Sequence, residues 1–405
     1  MALLRAAADD LVWQVGTVKG AGNDAVIHFY EDFLAAYDKD ERIDRGIYYT
    51  FPPLVEYAVR AADDALESRF GIDGLADERV RLLDPAVGTG TFLVGVAERA
   101  IARVTEREGE ALVPSLITTH LLPHLYGFEL LPAPYAICHL KLNSFYEQRG
   151  RALGSNERAN VFLTNSLAEP IAPTGGFLPA IGAIVAEAQQ ADAVKRDVPI
   201  LVIIGNPPYR ESSHNKEHLA EEMKVFRTVD GVPMKDRNTR PLDDDYLRFL
   251  RWSVAKLLEQ ETSPGCGIIA MVTNSSFLAR KITRGVRKFL LERFDELRVL
   301  DLHGNQRDWF RGRVDQKVFP DVQVGIAITL FIRLGTEHKA PARVFYRETR
   351  GTVAEKFEYL KGASLDDGKW REAMPRAPRY SLVPRDVAQE WVKGSTSPIR
   401  GLRHR

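Results

Sequence analysis

The sequence predicts an α/β protein built on a mostly parallel, doubly wound sheet. From Val80 onward, short apolar runs alternate with longer amphipathic ones, the order expected of strands joined by crossover helices. The first apolar run ends in "DPAVGTG", a glycine-rich turn placed beyond a strand's carboxyl end, where such sheets bind ligands. A 405-residue chain with 45% hydrophobic and 27% charged residues can bury a sizeable core and is neither fibrous nor disordered in character.

Residues 1–45 read as a helical extension, with Ile27, Phe29, Tyr30, Phe33, Leu34 and Tyr37 at helical spacing. Pro52 and Pro53 open a second helix over Leu54–Phe70, because proline suits a first turn whose N–H groups lack partners. Strand "RVRLLDP" is followed by helix "TFLVGVAERAIARV", strand "HLYGFE" and helix "PAPYAICHLKLNSFYEQ". Strands "ANVFLTN" and "PILVIIGNPPY" precede helix "YLRFLRWSVAKLLEQ" and strand "GCGIIAMVTNSSF". Helix "ITRGVRKFLLERF", strand "LRVLDLHG" and strand "VQVGIAITLFIRLG" complete the series. Residues 210–243 read as a long polar loop, and such loops in compact domains are usually functional or mobile. Beyond about Lys339 the α/β rhythm is lost, and the tail "VKGSTSPIRGLRHR" is basic with no acid.

Lys plus Arg equals Asp plus Glu at 55 each. A balanced total leaves room for a local basic surface that binds phosphates. Cys138 and Cys266 lie far apart among apolar neighbours and read as reduced core residues, with no metal-ligand spacing. No apolar stretch approaches the roughly 20 residues needed to span a bilayer, so a cytoplasmic protein with no membrane partner is expected.

Gly88 and Gly90 permit a tight turn and close ligand approach at a helix N-terminus, with Asp84 just ahead of them. No Lys follows, and the full G-x-G-x-x-G spacing is missing, so neither a Walker loop nor a dinucleotide fingerprint is present. On this feature alone, a turn that merely needs small residues reads equally well. Glu129, at the end of the second strand, is suited to accept hydroxyl protons from a ribose, or else is a solvated loop acid.

"NPPY", Asn206 to Tyr209, ends the fourth strand with an amide, two prolines and an aromatic ring. The exocyclic amine of a heterocyclic base is a poor nucleophile, because its lone pair is delocalised into the ring. Two acceptors aimed at its protons would draw the nitrogen toward tetrahedral geometry. The Asn206 side-chain oxygen and the Pro207 carbonyl can serve, Pro207 and Pro208 keeping the turn rigid, while Tyr209 offers a stacking face. No strong base is required, since the product ammonium is acidic. The bland alternative is a strand closed by a Pro-Pro turn and packed by Tyr209.

From Tyr30 to Arg333 the sequence resembles the gamma-class S-adenosyl-L-methionine-dependent DNA methyltransferases that act on adenine N6. "RGIYYTFPPLV", "DPAVGTGTFL", "NPPY", "IIAMVTNSSFL" and "KVFPDVQVGIAITLFI" resemble that class's motifs in order, and are most similar to the methyltransferase module of type ISP restriction-modification enzymes. The resemblance implies a Rossmann-like, seven-stranded sheet over residues 46–338, with 339–405 an extension beginning an incomplete target recognition region. It implies that Tyr49, Thr50, Asp84, Ala86, Gly88, Thr89, Gly90, Glu129 and Asn165 hold S-adenosyl-L-methionine. It also implies that Asn206, Pro207, Pro208 and Tyr209 act on a flipped adenine, with Phe319 against the same base. Double-stranded DNA is the implied partner, together with a separate recognition, helicase or nuclease subunit. Departures from the family pattern include Phe51, at a place where the family carries proline, and Asn165, at one where it carries an acid.

Two basic segments bear on DNA contact. "ARKITRGVRKFLLERF" reads as the solvated face of a helix, and "GNQRDWFRGRVDQK" reads either as a DNA-contacting loop or as ordinary surface. The NPPY chemistry also suits glutamine methyltransferases of release factors and guanine-N2 methyltransferases of RNA. A non-catalytic methylase-like DNA-binding subunit is a further alternative.

Overall fold

A computed structural model describes residues 50–169, 179–209, 215, 217–304, 315–320, 322, 324–335, 337–338 and 341–384. The extension expected over 1–45, Tyr49, most of "GNQRDWFRGRVDQK" and the basic tail lie outside the described residues.

One sheet holds nine strands: β1 (Leu82–Asp84), β2 (Leu125–Glu129), β3 (Asn160–Leu163), β4 (Val202–Gly205), β5 (Gly267–Asn274), β6 (Glu296–His303), β7 (Ile326–Arg333), β8 (Arg343–Glu348) and β9 (Arg371–Ala373). Their spatial order is β9-β8-β6-β7-β5-β4-β1-β2-β3. Pairing is parallel from β3 through β5 and between β6 and β8. β7 runs antiparallel to β5 and β6, and β9 to β8. β1 lies between β2 and β4, so the carboxyl ends of these three strands meet at the point where the winding reverses.

The principal helices are α1 (Pro52–Phe70), α2 (Thr91–Glu108), α3 (Pro132–Glu147), α4 (Pro179–Asp197), α5 (Asp245–Val254), α6 (Arg284–Leu291) and α7 (Val353–Gly362). α1, α2, α3 and α7 build a core on one face of the sheet, and α4, α5 and α6 build one on the other. Along β5, Ile268, Ala270 and Val272 enter the first core, while Ile269 and Met271 enter the second. Burial on both faces is why these strands read as unbroken apolar runs. α1 and α2 are clamped by the buried Asp63 carboxylate, which accepts from Arg99 Nε at 2.6 Å, Arg103 at 2.8 Å and the Leu75 N–H at 2.7 Å.

The seven expected strands are present, and β8 and β9 extend the sheet past residue 339, where the sequence suggested that the rhythm was lost. β8, "RVFYRE", escaped notice because charged residues make up half of it. Arg347 pairs with Asp367 at 2.5 Å and Arg343 with Glu372 at 3.0 Å, while Val344 and Tyr346 are buried. α7 begins with a reciprocal capping box between Thr352 and Glu355. The region read as a loop over 210–243 also contains order, in a turn over Glu222–Arg227 and a ribbon pairing Thr228–Val229 with Val232–Pro233. Its Met223, Phe226 and Leu242 are buried in the second core.

The solvated basic face expected near 279–294 is corrected in part: Arg280 and Lys281 are exposed, and the other cations are buried or paired. Arg287 is fully buried. Arg284 and Lys281 share Asp236, at 2.5 and 3.3 Å, and Lys288 pairs with Glu292 at 2.6 Å and Asp230 at 3.4 Å. Helical spacing of charges cannot distinguish a solvated cation from one held by a distant acid.

Candidate active site

The glycine turn after β1 is held by its neighbours. Val87 N–H donates to Phe128 O at 2.9 Å, tying the turn to β2, and the Ser166 hydroxyl donates to Pro85 O, tying it to the chain after β3. Gly90 precedes α2 with φ 83°, and a Cβ there would lie 2.7 Å from Cys138 Sγ. Only glycine satisfies both conditions. Gly88 also has positive φ, but a Cβ there would meet nothing within 4 Å, so its outer side is open.

Asp84 is fully buried at the end of β1. Its Oδ1 accepts from the Ala86 N–H at 3.0 Å, and its Oδ2 has no partner. Burial raises its pKa to about 8, with nearby Glu129 acting in the same direction against the Ala86 hydrogen bond. Glu129 is buried, which excludes the solvated-acid reading. Its Oε2 accepts from Gly88 N–H at 2.9 Å and its Oε1 from Leu131 N–H at 2.8 Å, while burial pushes its pKa up. Carboxylate oxygens have two lone pairs each, so both retain capacity for ligand hydroxyls. An orphaned carboxylate oxygen, open space over Gly88 and a second carboxylate beside it fit a ligand with a cationic end and vicinal hydroxyls.

At the end of β4, Gly205 lies over Asp84: a Cβ there would meet Asp84 Oδ1 at 2.6 Å. The next residue, Asn206, donates from Nδ2 to Thr50 Oγ1 at 3.0 Å and accepts at Oδ1 from the Tyr209 hydroxyl. Thr50 is therefore the partner that orients the amide, a role that the motif reading, which placed it on the cofactor, missed. Pro207 is buried and Pro208 half-buried. The Tyr209 ring makes an edge contact with Tyr246 at 6.2 Å, and Tyr246 lies 6.3 Å from Phe277.

Ala86 and Thr89 are half-buried on the glycine turn. Asn165 Oδ1 accepts from its own Leu167 N–H, and its Nδ2 donates to Asn215 Oδ1, both at 3.0 Å. Asn215 in turn donates to Asp245 Oδ1 at 3.3 Å. This amide stands in a ladder that runs through Asn215 to Asp245. Phe319, expected against the base, is 3% exposed and stacks on Phe51 at 5.7 Å, while Phe51 also meets Phe357 at 5.5 Å. The large apolar ring at 51 packs between these two rings. Among the described residues, no group of three His, Cys, Asp or Glu side chains could hold a metal. No described helix is long and apolar enough to cross a membrane.

The sequence profile of N-6 DNA methylases matches residues 21–242, more than half of the chain. The chain belongs to the N-6 DNA methylase family. Its matched relatives include the type II methyltransferase M.BanIII of Aneurinibacillus aneurinilyticus, 29% identical over 177 residues, covering 42% of this chain and 26% of that protein. M.BstVI of Geobacillus stearothermophilus is 24% identical over 227 residues, covering 56% and 34%. The methylase therefore spans about a third or less of either relative. Its fold superposes on the DrdV–DNA complex with TM-score 0.72 at 28% identity, covering 90% of this chain and 34% of that one. For the ATP-dependent type ISP restriction-modification enzyme LlaBIII bound to DNA, the TM-score is 0.73 at 24% identity, with 87% and 23% covered.

Asp84 is expected to make the stability of the chain depend on pH. The unfolded chain releases this proton near pH ~3.9, whereas the folded protein holds it up to about pH 8. Between these values the folded state binds more protons, so its stability falls as pH rises, by up to about 1.4 kcal/mol per unit. Asp84→Asn keeps an Oδ1 acceptor and cannot ionise. Thermal melts across this window are expected to show a shallower decline in the variant, and parallel curves would overturn the assignment.

Proposed function

We propose that the chain is the catalytic module of a site-specific DNA methyltransferase, moving a methyl group from S-adenosyl-L-methionine to the N6 amine of a flipped adenine within a restriction-modification or related phage-defence system. The observation that carries this reading is the Asn206 amide, held by Thr50 at the end of β4 directly above the Asp84 turn. Family membership and the DNA complexes among the structural neighbours support DNA over the glutamine or guanine-N2 alternatives.

When bound, S-adenosyl-L-methionine supplies an electrophilic methyl on a sulfonium. Asp84, Ala86, Gly88, Thr89, Gly90 and Glu129 would hold it, with Glu129 on the ribose hydroxyls and Asp84 facing its cationic end. Adenine enters with its ring on Tyr209. Asn206 Oδ1 and the Pro207 carbonyl accept its two amine protons, concentrating the lone pair on nitrogen. Held so, the amine would take the methyl that the bound sulfonium would supply, and the ammonium formed on adenine would give one proton to water. Asn206 and Pro207 act through position and through acceptors for the developing positive charge.

The domain reading is a helical extension over 1–45 and a catalytic domain over 46–338, whose sheet runs on through β8 and β9 into the region read as a C-terminal extension over 339–405. A duplex DNA substrate, a separate recognition, helicase or nuclease subunit and a cytoplasmic location complete the proposal. It is tested by transfer of labelled methyl to plasmid DNA and mapping of N6-methyladenine. Label found in protein or RNA and absent from DNA would promote the alternative amine methylators, and no transfer at all the non-catalytic subunit.

Glu129→Ala is expected to weaken S-adenosyl-L-methionine by about 10- to 100-fold, because hydrogen bonds to a charged group contribute roughly 1.5–3 kcal/mol. Calorimetric titration measures this directly. Unchanged affinity would leave Glu129 as a structural acceptor for the Gly88 and Leu131 amides alone.

A further inference from the structure

We infer that Arg280, Arg376 and Arg379 form a phosphate-binding patch that grips the duplex backbone beside the base site. The inference rests on the DNA reading above and assigns a surface to it. All three side chains are exposed, and none has an ion-pair or side-chain hydrogen-bond partner among the described residues.

The buried Arg287 gathers them. Its guanidinium donates to Arg280 O at 2.9 Å and to Arg379 O at 3.1 Å, so two of the arginines are anchored on one cation. Tyr380 N–H donates to Arg376 O at 2.9 Å, closing a turn that brings Arg376 to the same place. Arg376 and Arg379 line one open groove with Ala279, Met374 and Val383. Acids near these arginines are already held by other side chains. Glu372 pairs with Arg343 at 3.0 Å, Asp230 is held by Tyr380 at 2.7 Å and Lys288 at 3.4 Å, and Asp236 is held by Arg284 and Lys281. Arg280, Arg376 and Arg379 therefore add positive charge that no described acid pairs.

Their place suits DNA. β5 runs parallel to β4, so the turn after it opens at the same end of the sheet as Asn206. Phe277 O accepts from Arg287 at 2.5 Å, and the Phe277 ring reaches Tyr209 through Tyr246. Tyr246 and Phe277 thus link the stacking ring to the segment that Arg287 holds. Each strand of a duplex carries a phosphate every ~3.4 Å, so DNA with its target base at Tyr209 presents flanking phosphates to these arginines. Backbone contacts of this kind hold register while a base is flipped.

The test is duplex binding by the 405-residue chain over a series of salt concentrations, with R280Q, R376Q, R379Q and the triple variant. Each lost phosphate contact is expected to reduce the slope of log affinity against log salt by about 0.9. Each single variant removes part of that slope, the triple removes most of it, and replacing all three with lysine retains it. Melting temperature and S-adenosyl-L-methionine affinity stay as in the unaltered chain. Equal affinity and equal slope in the variants overturn the patch alone. Failure of the unaltered chain to bind any duplex overturns the DNA reading and the patch with it.

Discussion

Asn206→Ala is expected to lower methyl transfer by about 10²–10³-fold or more, the range found when one preorganised polar group is removed from a reacting centre. Affinity for S-adenosyl-L-methionine is expected to change little. The separation follows from the geometry, because Asn206 touches Thr50 and Tyr209 whereas the glycine turn is held by Phe128, Glu129 and Ser166. Fold is preserved, since the amide is only half-buried and its partners are hydroxyls that water can satisfy. The Tyr209 hydroxyl occupies Asn206 Oδ1 in this structure, so an entering amine has to displace it. Single-turnover transfer to an adenine-containing duplex, paired with cofactor calorimetry on the same protein, reads both quantities. Retained transfer would falsify the assignment of Oδ1 as amine acceptor, and lost cofactor binding would move Asn206 into the cofactor pocket.

Much of this site was legible because its chemistry is local. Asp84, Gly88, Gly90, Glu129 and the NPPY stretch each lie at a strand's carboxyl end, where a few consecutive residues report strand, turn and ligand-facing side together. What escaped was tertiary. Thr50 and Asn206 are 156 positions apart, and no spacing rule predicts that one hydroxyl orients the other's amide. Phe319 read as a base-facing ring because its motif resembles the family's; its stacking on Phe51, 268 positions away, is a contact that no motif reports. β8 was missed because an edge-proximal strand can carry Arg343 and Arg347 when Glu372 and Asp367 await them. An apolar-run criterion finds strands buried in hydrocarbon and overlooks strands whose charges are paired.

Arg287 shows the same limit with the largest consequence for stability. Its guanidinium donates to the carbonyls of Phe277, Arg280, Arg379 and Tyr380 and to Thr283 Oγ1, with no carboxylate involved. Burial lowers its pKa to about 9, which still leaves it charged at neutral pH. The carbonyls come from two separate stretches, 277–280 after β5 and 379–380 after β9, so this one side chain fastens the C-terminal segment to α6. Arg287→Met fills similar space but strands several buried acceptors at once, each costing about 1–3 kcal/mol. A net loss of roughly 3–5 kcal/mol is expected, at the severe end for a single substitution. Lysine cannot replace it, because a single ammonium lacks the planar fork that reaches acceptors on two sides. Urea melts should show a much lower midpoint, and trypsin should cut at Arg376 and Arg379 in the folded variant sooner than in the unaltered chain. A midpoint within experimental error of the parent would mean that the Leu382 to Leu278 backbone bond, at 3.0 Å, and the apolar contacts of Leu382 and Val383 hold the segment without it.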